Sequence, residues 1–210
     1  MSAHVQPLLD IRSPVGSPEA ADCAVFYSIT NCQEGLRGIS FGNLLIKQVA
    51  ESLKAEFAHL RRFATLSPVP GFRRWLAGGP PLAPEHKAAL SRLEDPAWSL
   101  GEVPEALQKL LLRLCAHYLL HAKQGREPAD AVARFHLGNG AALERLNWMG
   151  DTSEQGLARS AGMMVNYLYD LGEVERNHER YFREQRVVAS GALEKLAREA
   201  GLPAVPGDGA

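Results

Sequence analysis

The chain has 210 residues, and 23 Lys and Arg against 24 Asp and Glu give a formal net charge of −1. Hydrophobic residues make up 46% and charged residues 22%, which excludes wholesale disorder. The balanced charge argues against a nucleic acid or an anionic membrane surface as a partner, and no apolar stretch reaches the roughly 18 residues of a membrane span. Three cysteines without a CxxC pair and an N-terminus without a secretory pattern predict a cytoplasmic protein without a disulfide framework.

The first third of the chain predicts a strand, a glycine-rich loop, a helix and a second strand. Residues 1–23 predict an irregular lead-in, followed by a strand over 24–29, a helix over 43–57 and a strand over 62–67. The residues expected on the buried face of the helix are Leu44, Leu45, Val49, Leu53 and Phe57. This order predicts two parallel strands joined by a right-handed crossover, and so an α/β domain.

The remaining elements predict a domain over 24–200. A helical insertion is expected over about 84–123, with a buried leucine-rich stripe that ends at Tyr118. The later segments predict a short helix before residue 135, strands over 142–148 and 163–169, a helix starting near Asp151, and helices over 173–185 and 190–200. Residues 201–210 carry two prolines and three glycines and predict a disordered tail.

Three local patterns are candidates for chemistry. The glycine-rich segment 37–43 leads into a helix, where backbone N–H groups and the helix terminus favour a phosphate; an ordinary glycine turn is the alternative. Ser67 ends the second strand before Pro68, and either meets a ligand there or caps the next helix. His136 precedes a glycine turn; a histidine titrates near pH 6.5 and donates a proton, or it is structural.

A metal site is not predicted. His117 and His121 have the i, i+4 spacing of a helical metal pair, but the Glu of HExxH and a third ligand are missing.

Four stretches together resemble malonyl-CoA decarboxylase. They lie in that family's order and span most of the chain between Phe26 and Leu171. The matching strings are FYSITNCQEGLRGISFGNLLIKQV (26–49), FATLSPVPGFRRWL (63–76), FHLGNGAALERLNWMGD (135–151) and SAGMMVNYLYDL (160–171). The resemblance implies an N-acetyltransferase-like mixed sheet flanked by helices and conversion of malonyl-CoA to acetyl-CoA and CO2 without a metal or an organic cofactor.

The resemblance also implies the site residues. The family's catalytic serine falls on Ser67, its catalytic histidine on His136 and a tyrosine of the same site on Tyr169. The substrate-binding loop falls on Arg37, Gly38, Ile39, Ser40, Phe41, Gly42 and Asn43. Within it, Ser40 stands at a position that is acidic in some family members.

The upstream helical domain and first strands of the family have no counterpart here, so the chain is expected to be the C-terminal part of the enzyme. The strand over 24–29 would then present an open edge. An active decarboxylase, alone, as a homo-oligomer or completed by a separate N-terminal half, is one hypothesis. A truncated, inactive acyl-CoA-binding fragment, a helical interaction protein built on 84–123, and an N-acetyltransferase are the alternatives.

Overall fold

The computed structural model describes residues 1–14, 16–27 and 42–203. The strands are β1 (Cys23–Tyr27), β2 (Arg62–Pro68), β3 (Lys123–Gln124), β4 (Glu127–Pro128), β5 (Ala142–Asn147) and β6 (Met164–Leu168). The α-helices are α1 (Gln6–Leu9), α2 (Gly42–Glu56), α3 (Phe72–Ala77), α4 (Pro84–Leu90), α5 (Glu105–His121), α6 (Ala131–Gly138), α7 (Glu154–Ser160), α8 (Val174–Glu184) and α9 (Gly191–Arg198). Within these ranges, no helix is both long and apolar enough to cross a membrane.

Four strands form a mixed sheet in the order β1-β2-β6-β5, and β3 and β4 form a separate small hairpin. β1 and β2 run parallel, with Val25 opposite Ala64, and α2 lies between them along the chain. β6 runs antiparallel to both β2 and β5. The predicted parallel pair and the predicted mixed α/β class with flanking helices are confirmed.

The predicted buried face of α2 is partly wrong. Leu45 is 58% exposed and Val49 is also exposed, whereas Ile46 and Ala50 are buried. The inward face of α2 therefore runs through Ile46 and Ala50, which are four residues apart, while the side chain of Leu44 lies outside the described residues. Leu53 packs against the core as expected.

The insertion over 84–123 is not one continuous helical stretch. α4 passes into a 3₁₀ turn (Ser91–Glu94), and α5 starts only after Pro104, whose backbone is extended. Pro96 and Pro104 restrict the residues before them to extended conformations, which explains the interruption. The leucine stripe itself is buried as predicted, at Leu107, Leu110, Leu111, Leu114 and Tyr118.

The segment before β1 is more ordered than the predicted irregular lead-in. It contains α1 and a 3₁₀ turn (Pro18–Ala20). The backbone N–H of Val5 donates to the Gly150 carbonyl at 2.9 Å, and the Arg145 guanidinium donates to the Met1 carbonyl at 3.0 Å. These contacts dock the segment on the β5–β6 side of the sheet. Most of the predicted tail, residues 204–210, lies outside the described residues.

Candidate active site

β2 places Ser67 at the end of the strand, one residue before Pro68. The Ser67 hydroxyl donates to Thr65 Oγ1 at 2.9 Å, because residues two apart on a strand share a face. Thr65 Oγ1 also accepts the backbone N–H of Tyr167 at 3.3 Å. α3 begins at Phe72 with Gly71 as its N-cap residue, and the Ser67 hydroxyl bonds Thr65 and His136 and no backbone N–H of this helix, so the alternative of Ser67 as a helix cap is wrong.

α6 and β6 bring two further side chains to Ser67. His136, on α6, lies with Nε2 at 3.1 Å from Ser67 Oγ. Its Nδ1 lies at 2.8 Å from the hydroxyl of Tyr169, which directly follows β6. The structure thus joins Ser67, His136 and Tyr169 in one hydrogen-bonded chain, although 69 residues separate the first two in sequence.

The three hydrogen-bonded side chains are buried and uncharged. Ser67, His136 and Tyr169 are each at most 5% exposed, and the His136 ring stacks on Tyr167 with centroids 4.4 Å apart. Burial lowers the pKa of His136 to about 3 and raises the pKa of Tyr169 above its usual value. The expected titration of His136 near pH 6.5 is therefore wrong for the free protein, in which the imidazole is neutral at pH 7.

The hydrogen-bond directions assign the one imidazole proton. When Ser67 donates to Thr65, the Ser67 oxygen accepts from His136 Nε2–H. His136 Nδ1 then accepts from the Tyr169 hydroxyl. His136 therefore carries its proton on Nε2, facing Ser67, and the Tyr169 hydroxyl holds the ring in this tautomer through Nδ1.

Asp130 holds the elements of the site together. It caps α6, where its Oδ1 accepts the backbone N–H groups of Val132 and Ala133 at 2.9 and 3.1 Å. Its Oδ2 accepts the N–H of Gly71 at 3.0 Å and the hydroxyl of Tyr118 at 3.4 Å. One buried carboxylate therefore links the helix of His136, the loop after Ser67 and α5.

A cavity of about 740 Å³ opens at the C-terminal end of α6, the helix that carries His136. Lys47 of α2, Asn139 at the end of α6 and the first turns of α8 line it. Asn139 lies between the cavity and the polar side chains of the site. It is the residue after α6, the helix of His136, and its side chain lies close to the Tyr169 hydroxyl. A volume of this size suits a small-molecule ligand.

The predicted binding loop is only partly described. Arg37, Gly38, Ile39, Ser40 and Phe41 lie outside the described residues, while Gly42 and Asn43 form the start of α2. α2 also carries Lys47, which lines the cavity. His117 and His121 pack ring against ring on α5, and the described residues hold no group of three metal-ligating side chains.

Comparison with known proteins identifies the family. A family model described as the malonyl-CoA decarboxylase C-terminal domain matches residues 1–204. The chain belongs to the malonyl-CoA decarboxylase family. It is 38% identical to the mitochondrial malonyl-CoA decarboxylase of Rattus norvegicus over 204 residues, covering 84% of this chain and 41% of the rat protein.

Two solved bacterial malonyl-CoA decarboxylases share the fold. The Rhodopseudomonas palustris structure is 46% identical with a TM-score of 0.87, and the match covers 93% of this chain and 47% of that one. The Agrobacterium vitis structure is 45% identical with a TM-score of 0.87, covering 93% and 50%. The chain thus spans about half the length of its malonyl-CoA decarboxylase relatives.

Sequence reasoning missed three residues of this site. Asp130 before the short helix has the residue type of an N-cap, so its capping was detectable, but its bonds to Gly71 and Tyr118 were not. Thr65 shares the face of Ser67 by its i, i+2 spacing. Asn139 stands in a Gly-Asn-Gly turn, which signals a tight turn and not a cavity wall.

Proposed function

We propose that this chain catalyses the decarboxylation of malonyl-CoA to acetyl-CoA and CO2. The observation that carries the proposal is the buried hydrogen-bonded chain of Ser67, His136 and Tyr169 in a member of the malonyl-CoA decarboxylase family. A ligand-sized cavity at the end of the helix of His136 supports it. The relatives that are named for this activity are about twice as long as this chain. The activity of this chain is therefore inferred from its own site.

The reaction needs little beyond oriented hydrogen-bond donors and one proton. When the bond between C2 and the carboxylate breaks, its electron pair moves onto the thioester and forms an enolate. The charge rests largely on the thioester oxygen, so a donor aimed at that oxygen lowers the barrier. A proton then binds to C2 and completes the acetyl group. No covalent bond to the protein is required.

Each polar side chain of the site has one proposed role. Ser67 positions the malonyl group by hydrogen bonding, because its hydroxyl ends the strand next to His136. His136 donates its Nε2 proton to C2. Tyr169 orients the ring through Nδ1 and passes its hydroxyl proton to it, and a proton from solvent then restores Tyr169. The overall reaction thus consumes one solvent proton. A neutral imidazole is sufficient as the donor, because the enolate carbon is a stronger base than the imidazolate that forms.

The cavity supports a CoA thioester as the ligand. Its wall carries the cations Lys47 and Arg176, which pair with Glu175 and Glu173 and favour an anionic ligand only when those pairs open. The loop Arg37–Asn43 is proposed to bind the nucleotide part, since a glycine-rich loop before a helix offers N–H groups to phosphate. The acyl end would then reach the neighbourhood of Asn139 and His136.

The test measures turnover of malonyl-CoA by the wild-type chain and by Ser67→Ala and His136→Asn. We expect both substitutions to lower kcat by about 10²-fold or more, since each removes a group that acts on the reacting atoms. His117→Asn is the matched control, because His117 is also a buried helical histidine but makes no hydrogen bond to Ser67 or Tyr169, as His136 does. Turnover within threefold of wild type in both site variants would show that these roles are assigned wrongly.

An acyl-CoA-binding fragment without turnover is the second candidate. The half-length match to the relatives favours testing it. Malonyl-CoA and acetyl-CoA should raise the thermal midpoint of either a binder or an enzyme, because both ligands bind the native state. Only an enzyme also releases CO2. The intact contact between Ser67 and His136 supports turnover, since binding alone does not require it.

Two partner proposals accompany the activity. β1 is hydrogen-bonded to β2 and occupies one end of the strand order among the described residues. Its other side therefore suits pairing with a strand of a second copy or of a separate N-terminal half. Light scattering on the purified chain distinguishes a homo-oligomer from a monomer, and added N-terminal half tests complementation.

A cytoplasmic location is proposed from the reduced cysteines. Cys23 and Cys115 are free thiols in the described part of the chain. The rat and mouse relatives are named as mitochondrial, so fractionation of the source cells is the deciding measurement.

A further inference from the structure

Asn139 carries a buried donor that nothing in the described protein uses. The residue is 7% exposed, and its Nδ2 has no hydrogen-bond partner. Buried amide donors are almost always paired, because an unpaired one loses its water without compensation. A donor kept unpaired in the wall of a cavity is therefore explained by a ligand that accepts from it.

The position of this amide matches the acyl end of the proposed ligand. Asn139 ends α6, three residues after His136, and lines the cavity. The Asn139 side chain also lies close to the Tyr169 hydroxyl, outside hydrogen-bond geometry. Asn139 thus belongs both to the cavity wall and to the surroundings of the polar chain of the site.

The turn that carries Asn139 is held from both sides. Gly140 has φ +79°, and a Cβ built on it would lie 2.1 Å from the Val174 carbonyl oxygen. Asn177 Nδ2 donates to the Gly140 carbonyl at 3.2 Å, and His178 Nδ1 lies 2.7 Å from the Gly138 carbonyl. α8 therefore fixes the turn before any ligand arrives, which is what an effective transition-state donor needs.

We propose that Asn139 Nδ2 donates a hydrogen bond to the thioester oxygen of malonyl-CoA and stabilises the enolate formed as CO2 leaves. The inference rests on the proposed function and adds a catalytic residue to it. As the bond from C2 to the carboxylate breaks, the electron pair spreads onto the thioester oxygen, and the bond to Asn139 strengthens. The proton that completes acetyl-CoA goes to C2 from His136.

A different contact, from Asn139 to the malonyl carboxylate, predicts a different kinetic effect. A donor to the carboxylate stabilises the bound substrate, and that stabilisation is lost when CO2 leaves as a neutral molecule. Its removal would raise KM and leave kcat unchanged or higher. A donor to the thioester oxygen acts mainly in the transition state, so its removal lowers kcat.

The experiment compares Asn139→Ala and Asn139→Asp with the wild-type chain in malonyl-CoA turnover. Asn139→Asp keeps the side-chain shape but removes the amide donor. The thermal midpoint of each variant shows whether it is folded. We expect kcat to fall by about 10²- to 10³-fold in both variants, with KM in Asn139→Ala within threefold of wild type. Glu194→Gln, the reverse change of amide and carboxylate on the exposed face of α9 and away from the cavity, should keep kcat within twofold.

Two results would overturn the inference. If the wild-type chain turns over and either folded Asn139 variant keeps kcat within threefold, or changes only KM, the inference fails and the proposed function stands. If the wild-type chain neither turns over nor gains thermal stability from malonyl-CoA, the proposed function fails first and the inference with it.

Discussion

Replacing Asp130 by alanine should destabilise the fold far more than the loss of an ordinary helix cap. Asp130 is 1% exposed and accepts four hydrogen bonds, two from the first turn of α6 and one each from Gly71 and Tyr118. Alanine removes all four acceptors at once and leaves the buried Gly71 N–H without a partner.

The magnitude follows from those contacts. Loss of an N-cap costs about 1 kcal/mol, and a buried unsatisfied N–H costs about 1–3 kcal/mol. Asp130→Ala should therefore lower the free energy of unfolding by about 3 kcal/mol, a large part of the roughly 5–15 kcal/mol of a typical domain. Turnover should fall as well, because the carboxylate fixes the loop after Ser67 relative to the helix of His136.

The assay is urea unfolding followed by far-UV circular dichroism, with Ser153→Ala as the matched control. Ser153 caps α7 by accepting the Gly156 N–H at 3.0 Å, but it is exposed and links no other element. We expect a loss of about 1 kcal/mol for the control. An equal loss in the two variants would refute the view that Asp130 connects the site.

Two further predictions concern pH and a glycine. Because burial lowers the pKa of His136 to about 3 while the unfolded chain protonates near 6.5, the unfolded state binds more protons between these values. His136 should therefore contribute a fall of on the order of 3 kcal/mol in the free energy of unfolding from pH 7 to pH 4, measured by urea titration. His117, whose pKa burial lowers to about 4, contributes in the same direction, and His136→Asn should remove the His136 part of the slope; an unchanged slope would contradict the assignment. Gly140→Ala should cost at least about 2 kcal/mol of thermal stability, because φ is +79° and the new Cβ meets Val174. Gly125→Ala, at φ +61° with open space around it, should cost less, and equal losses would argue against that contact.

Periodicity and turn residues predicted most elements of the fold, because they act over a few residues. The strands at 62–67 and 163–169 and the buried stripe that ends at Tyr118 are where local patterns placed them. The inward face of α2 was misjudged, since Leu45 and Val49 are more hydrophobic than the Ala50 that is buried in their place. Hydrophobicity alone does not reveal which face a neighbouring element leaves room for.

The site was predicted only through the family resemblance. Local patterns left Ser67 and His136 as separate candidates, each with a structural alternative, because nothing in a linear pattern measures a contact across 69 residues. The pKa of His136 was misjudged for the same reason. Its burial depends on the stacking of Tyr167 from β6, which tertiary packing alone establishes.

The absence of charge from the groups around Ser67 and His136 bears directly on the proposed chemistry. At pH 7 His136 is neutral and Tyr169 keeps its proton, so these buried groups carry no charge that needs compensation. The malonyl carboxylate would be the charge brought among them, with Ser67 as its proposed hydrogen-bonding partner. CO2 leaves as a neutral molecule, so the negative charge stays behind and moves to the thioester oxygen. The unpaired amide donor of Asn139 is the proposed partner of that oxygen. A neutral His136 offers the proposed substrate carboxylate no ion pair, so none has to be broken as CO2 leaves.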